Sequence, residues 1–157
     1  MRTLTVFAIA AWLGMLGFLA IVVAPAAFGT LERPAAARLV STVMPRYHWA
    51  ALALGFVAVV GLLARRDPGG AVWLGRAPLL LVVLMLVLTA ASLFLLLPEM
   101  EGLRDTALAA RAAGRAEAPE VARFGRLHAL SSLAGVTVLA AGAVVLVLEA
   151  VRGRSAP

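Results

Sequence analysis

Two histidines are the residues with the clearest capacity for chemistry in this 157-residue chain, which contains no cysteine. His48 and His128 each stand near the start of an apolar run, with tyrosine and methionine at a similar level along the runs. Imidazole and thioether groups bind copper, and two imidazoles can ligate a haem iron. The pattern therefore predicts a metal or cofactor site that would hold haem or copper. Its candidate residues are His48, His128, Tyr47, Met44 and Met100.

The same residues also have an ordinary structural interpretation. Histidine and tyrosine are common at a membrane–water interface, where the ring lies in lipid and the polar end meets water. Two histidines near helix starts often coincide in depth by chance. The sequence leaves both interpretations open.

The common catalytic motifs of water-soluble enzymes are absent. The chain has no glycine-rich phosphate loop, no HExxH and no GxSxG. Proton-coupled transport usually requires an acidic or basic residue at the middle of a span, and the apolar runs contain none there. Three polar residues lie deep enough to line a transport path, namely Thr89, Ser92 and Thr137. We predict an integral membrane protein without an enzymatic role. A metal- or haem-binding module and a small-molecule or metal export component are the alternatives.

The composition indicates that the helices carrying these residues lie in a lipid bilayer rather than in water. Hydrophobic residues make up 63% of the chain and charged residues 14%, whereas soluble domains carry about 25% charged residues. Four apolar runs cover residues 4–24, 47–64, 77–97 and 128–150. Runs of roughly 20 residues match a hydrocarbon core of about 30 Å. The fold class predicted is all-α, a four-helix transmembrane bundle formed by a single multi-pass domain over residues 1–157. The first run is longer than the apolar part of a typical signal peptide, so we interpret it as a retained span.

Prolines and glycines subdivide the segments between the runs. Residues 34–44 are expected to form a turn or two of helix, and Pro45 is expected to kink the start of the second span. After Pro98, apolar residues recur at helical spacing up to Gly114, and Pro119 then opens another helix. The third and fourth helices should therefore extend into an outer helical hairpin.

Arginine supplies all the basic charge, and the net charge is +6. The arginines lie between the apolar runs, where they would meet water and lipid headgroups, so we expect a lipid bilayer as partner and no nucleic acid. The N-terminus, the loop at residues 65–76 and the C-terminal tail are expected on the same side of the membrane. The arginines of that side lie in short segments. Both termini are therefore predicted to be cytoplasmic. The bias to arginine and alanine is typical of a GC-rich genome and predicts a bacterial inner membrane protein.

Small residues recur four positions apart in three of the runs. The pairs are Ala10 with Gly14, Ala51 with Gly55, and Ser131 with Gly135. Such spacing allows helix backbones to approach closely in lipid. We expect these pairs to serve packing within the chain, and a homo-oligomer formed through small-residue faces is the alternative.

Several segments together resemble the transmembrane protein 205-like family. They are Trp12-Leu13-Gly14-Met15 with Pro25, Phe28 and Leu31; Met44-Pro45-Arg46-Tyr47; the proline and polar helix at residues 98–104; and Arg123 to Ser132, where an aromatic residue, His128 and a serine pair enter the last span. The resemblance implies four transmembrane helices with cytoplasmic termini and supplies no activity, because that family is a domain of unknown function. The architecture is also similar to the copper resistance D group and to the haem-binding four-helix oxidase of haem synthesis. Those proteins place a histidine in the first span, where this chain has none.

Overall fold

The computed structural model describes residues 1–64 and 72–154, and within them every regular element is helical. The α-helices are α1 (Arg2–Phe18), α2 (Ala24–Thr30), α3 (Arg33–Leu63), α4 (Val72–Ala91), α5 (Leu97–Ala112) and α6 (Pro119–Arg154). Four continuous rods result, formed by α1 with α2, by α3, by α4 with α5, and by α6. Each is long and apolar enough to cross a membrane. The predicted all-α four-helix membrane bundle is confirmed. Residues 65–71 of the loop expected at residues 65–76, where the composition predicts a short turn, lie outside the described residues.

Two π-helical turns join the α-helical halves of the first and third rods. Leu19–Val23 connects α1 to α2, and Ser92–Leu96 connects α4 to α5. Each stands just before a proline, Pro25 or Pro98, at the start of the next helix. Proline has no N–H to donate to the carbonyl four residues earlier, and a wider turn accommodates the ring without ending the helix. The first and third helices consequently continue beyond the apolar runs that define their spans.

The second rod, α3, is one continuous helix of 31 residues. It starts after Glu32, whose backbone is extended, and Pro34 occupies its first turn, where the missing N–H costs nothing. Residues 34–44 therefore belong to the same helix as the span rather than to a separate turn. Pro45 lies inside the helix without interrupting it.

The four rods pack in a ring in which α1 contacts α3 and α6, and α4 contacts α3 and α6. Because the rods alternate in direction, residues near the N-terminus and the end of α6 lie at the same end of the bundle. We call that end the terminal end. The opposite end, from which α5 and the start of α6 project, is the hairpin end.

The helical hairpin predicted from Pro98 to Pro119 is present. A small apolar cluster of Ala107, Ala110 and Val121 joins α5 to α6. At the end of α5, Gly114 adopts a φ of 74°, and the N–H of Arg115 donates to the carbonyl of Ala110 at 2.9 Å. This Schellman arrangement satisfies helix-end carbonyls and requires a left-handed residue, which explains the glycine.

Two apolar clusters divide the interior of the bundle. The cluster in the terminal half consists of Ala8, Ile9, Ala58, Val82 and Val145. The cluster nearer the hairpin end consists of Trp12, Tyr47, Ala51, Met85, Val138 and Ala141. Aliphatic residues alone form the first, whereas the second contains an aromatic pair with polar groups, and it adjoins the candidate site.

Candidate functional site

A small cavity lies inside the hairpin-end half of the bundle and has a volume of about 40 Å³. Residues of α1, α3, α4, α6 and the second π-helical turn line it. Its polar or sulfur-bearing lining residues are Met44, Tyr47, His48, Thr89, Ser92 and Ser131. Apolar residues such as Leu16 and Leu88 complete the wall. Polar side chains from three helices therefore converge on one point in an otherwise apolar interior, which is the usual organisation of a ligand site within a helical bundle.

His48 is the only histidine that lines this cavity and is only 4% exposed. Its Nδ1 lies 2.8 Å from the carbonyl oxygen of Met44, one turn earlier in α3. A carbonyl can only accept, so Nδ1 carries the proton, and in the neutral imidazole Nε2 then keeps its lone pair. His48 is thus held in the tautomer that offers Nε2 to a hydrogen-bond donor or a metal ion. The same arrangement orients histidine ligands in many metal proteins.

Tyr47 lies beside His48, with the two ring centroids 4.9 Å apart and the rings edge to face. The indole N–H of Trp12 in α1 donates to the Tyr47 hydroxyl oxygen at 3.3 Å. Because indole is a donor only, the tyrosine hydroxyl accepts this bond and retains its own proton to donate. Trp12 is fully buried, so α1 fixes the position of Tyr47 at the cavity wall.

The second π-helical turn begins at Ser92, which with Thr89 brings hydroxyl groups to the cavity from the third rod. Both residues are buried. Turns of this kind are frequent at functional sites, because the extra residue re-aims the side chains that follow. Thr137, the third polar residue considered for a transport path, is not part of the cavity wall and donates instead to the carbonyl of Leu133 at 2.8 Å.

His128 and Met100 occupy different surroundings from His48. The His128 side chain is exposed and stacks on Phe124, with ring centroids 6.4 Å apart and planes 2° from parallel. Met100 is half-buried near the start of α5, and neither residue lines the cavity. The structure brings Met44, Tyr47 and His48 together and leaves the other two candidates outside. Among the described residues there is also no group of three histidine or carboxylate side chains suited to a metal ion.

A buried carboxylate at the terminal end is the polar feature that the sequence analysis missed. Glu149 is fully buried. Its two carboxylate oxygens lie 3.8 Å from Nε of Arg2 and 3.7 Å from Nη1 of Arg152, and Arg2 also donates to the Glu149 backbone carbonyl. These contacts tie the first turn of α1 to the last turns of α6.

The spacing of buried residues along α6 would have identified this position. Val138, Ala141 and Val145 are buried, and Glu149 continues the same three- and four-residue spacing. A helix face that carries three buried apolar residues continues inward at the next step of that spacing. The fourth predicted span, residues 128–150, contains Glu149 near its end, but the sequence analysis assigned that residue no role.

No curated protein and no solved structure matches the chain. A family model for DUF4149, a domain of unknown function, matches residues 7–109. That segment includes Trp12, Met44, Tyr47 and His48 and ends before His128. The chain is therefore a multi-pass membrane protein that belongs to the DUF4149 family.

Proposed function

We propose that this protein is a non-enzymatic membrane protein that binds one soft metal ion, Cu(I), in the cavity of the hairpin-end half. The orientation of His48 carries the proposal, because a backbone carbonyl occupies Nδ1 and leaves Nε2 as the ligating atom. Met44 contributes a thioether to the same cavity. Imidazole and thioether are ligands that Cu(I) prefers to water.

The volume of the cavity favours a single ion over haem. At about 40 Å³ it is far below the roughly 300 Å³ at which pockets for cofactor-sized ligands begin. A haem ligated by both His48 and His128 would also have to join a buried imidazole to an exposed one. The hydroxyl groups of Thr89 and Ser92 suit a small occupant, since they can bond water that completes its coordination.

Metal titration of the purified protein under anaerobic conditions tests the proposal, with a chromophoric Cu(I) chelator as competitor. The wild-type protein should bind one equivalent with a dissociation constant of about 1 µM or tighter. His48→Ala should weaken binding about tenfold or more, and Met44→Leu should also weaken it. The matched control is His128→Ala, which should bind as the wild type does. Absence of wild-type binding, or loss of binding in the His128 variant alone, would overturn the proposal.

An export component is the second candidate, favoured by the position of Thr89 and Ser92 on the cavity wall. If it is correct, vesicles containing the protein should move Cu(I) across the membrane, and His48→Ala should abolish that movement. If the protein only binds Cu(I), neither the wild type nor the His48→Ala variant should move Cu(I) across the membrane.

We infer a bacterial inner membrane location with both termini in the cytoplasm. The terminal end carries arginine in short segments, as in Arg2 and Arg152, and such segments are retained on the cytoplasmic side. The chain has no cysteine, so single cysteines can be introduced without background. Thr3→Cys should be labelled by an impermeant maleimide only after the cells are opened, whereas Ala116→Cys in the hairpin should be labelled in intact spheroplasts.

We also infer kinship with the transmembrane protein 205-like family and, more distantly, with the copper resistance D group. The four-span architecture and the segments quoted above support it. A homo-oligomer through small-residue faces stays a prediction. Ala10 and Gly14 are exposed on α1, so an association of this kind should weaken when Gly14 is replaced by leucine, as measured by cross-linking in detergent.

A further inference from the structure

The cleft between α3 and α5 at the hairpin end is separate from the cavity around His48. It is open and has a volume of about 640 Å³, within the range of roughly 300–1,000 Å³ typical of small-ligand sites. Three guanidinium groups border it, those of Arg38, Arg46 and Arg104, and one carboxylate, that of Glu101. The cleft therefore has an excess of positive charge and suits an anion.

Two side-chain hydrogen bonds hold Arg104 in place at the edge of the cleft. Its Nη1 donates to the Ser41 hydroxyl at 2.6 Å, and its Nε donates to Asp105 at 3.2 Å. Ser41 in turn donates to the carbonyl of Ala37 at 2.7 Å, so the hydroxyl that receives Arg104 is itself fixed by α3. A guanidinium carries five N–H groups, so these two bonds orient Arg104 without exhausting its donors. A fixed guanidinium loses less freedom when it binds an anion.

The surroundings of the cleft indicate where the anion comes from. Trp49 also lines the cleft, and its side chain is 58% exposed on the outside of the bundle. It packs edge to face against Phe94, with ring centroids 5.7 Å apart, and Phe94 is likewise exposed. Exposed tryptophan on a membrane helix is enriched at the level of the lipid headgroups. The arginines lie beside this pair and thus at the depth of lipid phosphate.

We propose that this cleft binds the phosphate of one anionic phospholipid, with the guanidinium groups of Arg38, Arg46 and Arg104 around the headgroup and the lipid chains beside Trp49 and Phe94. Guanidinium groups pair with phosphate oxygens through two parallel hydrogen bonds, which fix a headgroup more firmly than a diffuse surface charge does. The ligand is a component of the membrane and enters from the side of the bundle.

Native mass spectrometry in a neutral detergent tests the site, with phosphatidylglycerol or phosphatidylcholine added to the purified protein. The wild type should retain phosphatidylglycerol in preference to phosphatidylcholine. A variant with Arg38→Gln, Arg46→Gln and Arg104→Gln should lose on the order of a hundredfold in affinity, since each arginine near a lipid anion contributes roughly fivefold.

The matched control removes the same charge elsewhere at the hairpin end, by Arg33→Gln, Arg111→Gln and Arg126→Gln. These three arginines are exposed and do not line the cleft. The control should keep the lipid preference, and equal loss in both variants would overturn the proposal. Replacing the three cleft arginines by lysine should restore part of the binding, because lysine returns the charge without the paired guanidinium hydrogen bonds. A lysine variant that is folded, judged by circular dichroism, but binds phosphatidylglycerol as tightly as the wild type would contradict recognition through the guanidinium groups.

Inorganic phosphate distinguishes a lipid headgroup from a free anion. An excess of sodium phosphate should leave the bound phosphatidylglycerol in place, because the lipid chains add contacts beside Trp49. If phosphate displaces the lipid and binds with similar affinity, the cleft is a site for free phosphate and the assignment to a lipid is wrong.

Discussion

The two ends of the bundle bury polar groups in opposite ways. At the terminal end, the Glu149 carboxylate is enclosed between Arg2 and Arg152, and the helices pack closely around it. At the hairpin end, His48 and several hydroxyl groups line a small cavity. The polar groups of the terminal end join neighbouring helices, whereas those of the hairpin end line a cavity between the helices.

Glycine residues show the same difference. A Cβ added at Gly142 would lie 2.9 Å from Cδ1 of Leu13, and one added at Gly61 would overlap Thr5. At Gly135, which lines the cavity, an added Cβ would meet nothing within 4 Å. Close helix approach therefore stabilises the middle and the terminal half, whereas the hairpin-end half can accept a ligand. Four changes test this comparison, here from the largest expected effect to the smallest.

The first change is Gly55→Ala in α3. Its Cβ would overlap Leu86 on one side and lie 2.8 Å from the Trp12 ring on the other, so one of the two must move. We expect a loss of about 3 kcal/mol in unfolding free energy, at the upper end for overpacking. Unfolding in sodium dodecyl sulfate, followed by circular dichroism, measures it. Gly135→Ala is the matched control and should leave stability equal or slightly higher; equal losses would refute the difference between the halves.

The second change is Glu149→Gln, which removes the buried charge while keeping the shape of the side chain. It weakens the contacts to Arg2 and Arg152, and we expect it to cost about 2 kcal/mol, as is typical of buried bonds to charged groups. The same unfolding assay applies. Glu117→Gln removes an exposed acid from the hairpin and should have no measurable effect. An unaffected Glu149 variant would mean that the terminal end does not depend on this charge.

The third change is Trp12→Phe, which removes the donor to Tyr47 but keeps an aromatic ring in the core. The loss should be about 1 kcal/mol, the net value of one neutral hydrogen bond. Trp49→Phe is the control, because Trp49 packs on Phe94 at the surface. Cu(I) affinity should fall in the Trp12 variant and stay constant in the control. If Cu(I) affinity instead fell only in the Trp49 variant, the hydrogen bond between Trp12 and Tyr47 would have no role in metal binding.

The fourth change compares an exposed ion pair with the buried one. Arg123 in α6 pairs with Glu99 in α5 across the hairpin, and its side chain is 65% exposed. We expect Arg123→Gln to reduce stability by about 0.5 kcal/mol or less, because water and salt screen such pairs. Repeating the measurement in high salt should remove even that difference. A loss as large as that of Glu149→Gln would show that the hairpin supports the bundle.

The elements of this fold were largely predictable, because long apolar runs and helix-ending residues have direct physical meanings. The four spans, the Gly114 helix end and the Pro119 helix start follow from hydropathy and backbone chemistry. The predicted spans stop just before Pro25 and Pro98, and the helical extension beyond Pro98 was predicted as part of the hairpin. The sequence did not predict the π-helical turns through which the helices pass both prolines.

Which face of each helix points inward was far less predictable. In a membrane bundle both the interior and the lipid-facing surface are apolar, so no polar stripe marks the outer side. His48 and His128 therefore looked alike in sequence, although one is buried and the other exposed. Glu149 was overlooked for the same reason, and only its spacing from Val145 reveals its inward position.

The π-helical turn at Ser92–Leu96 also sets the rotation of α5 about the helix axis relative to α4. Such a turn holds one residue more than an α-helix needs over the same length, so it is equivalent to a single-residue insertion. Each residue of an α-helix advances the chain by about 100° around the axis. If the same residues formed a regular α-helix, α5 would be rotated by about that angle against α4, and Ala107 and Ala110 would turn away from α6. The orientation of the whole hairpin therefore depends on the wider turn, which begins at Ser92 on the cavity wall.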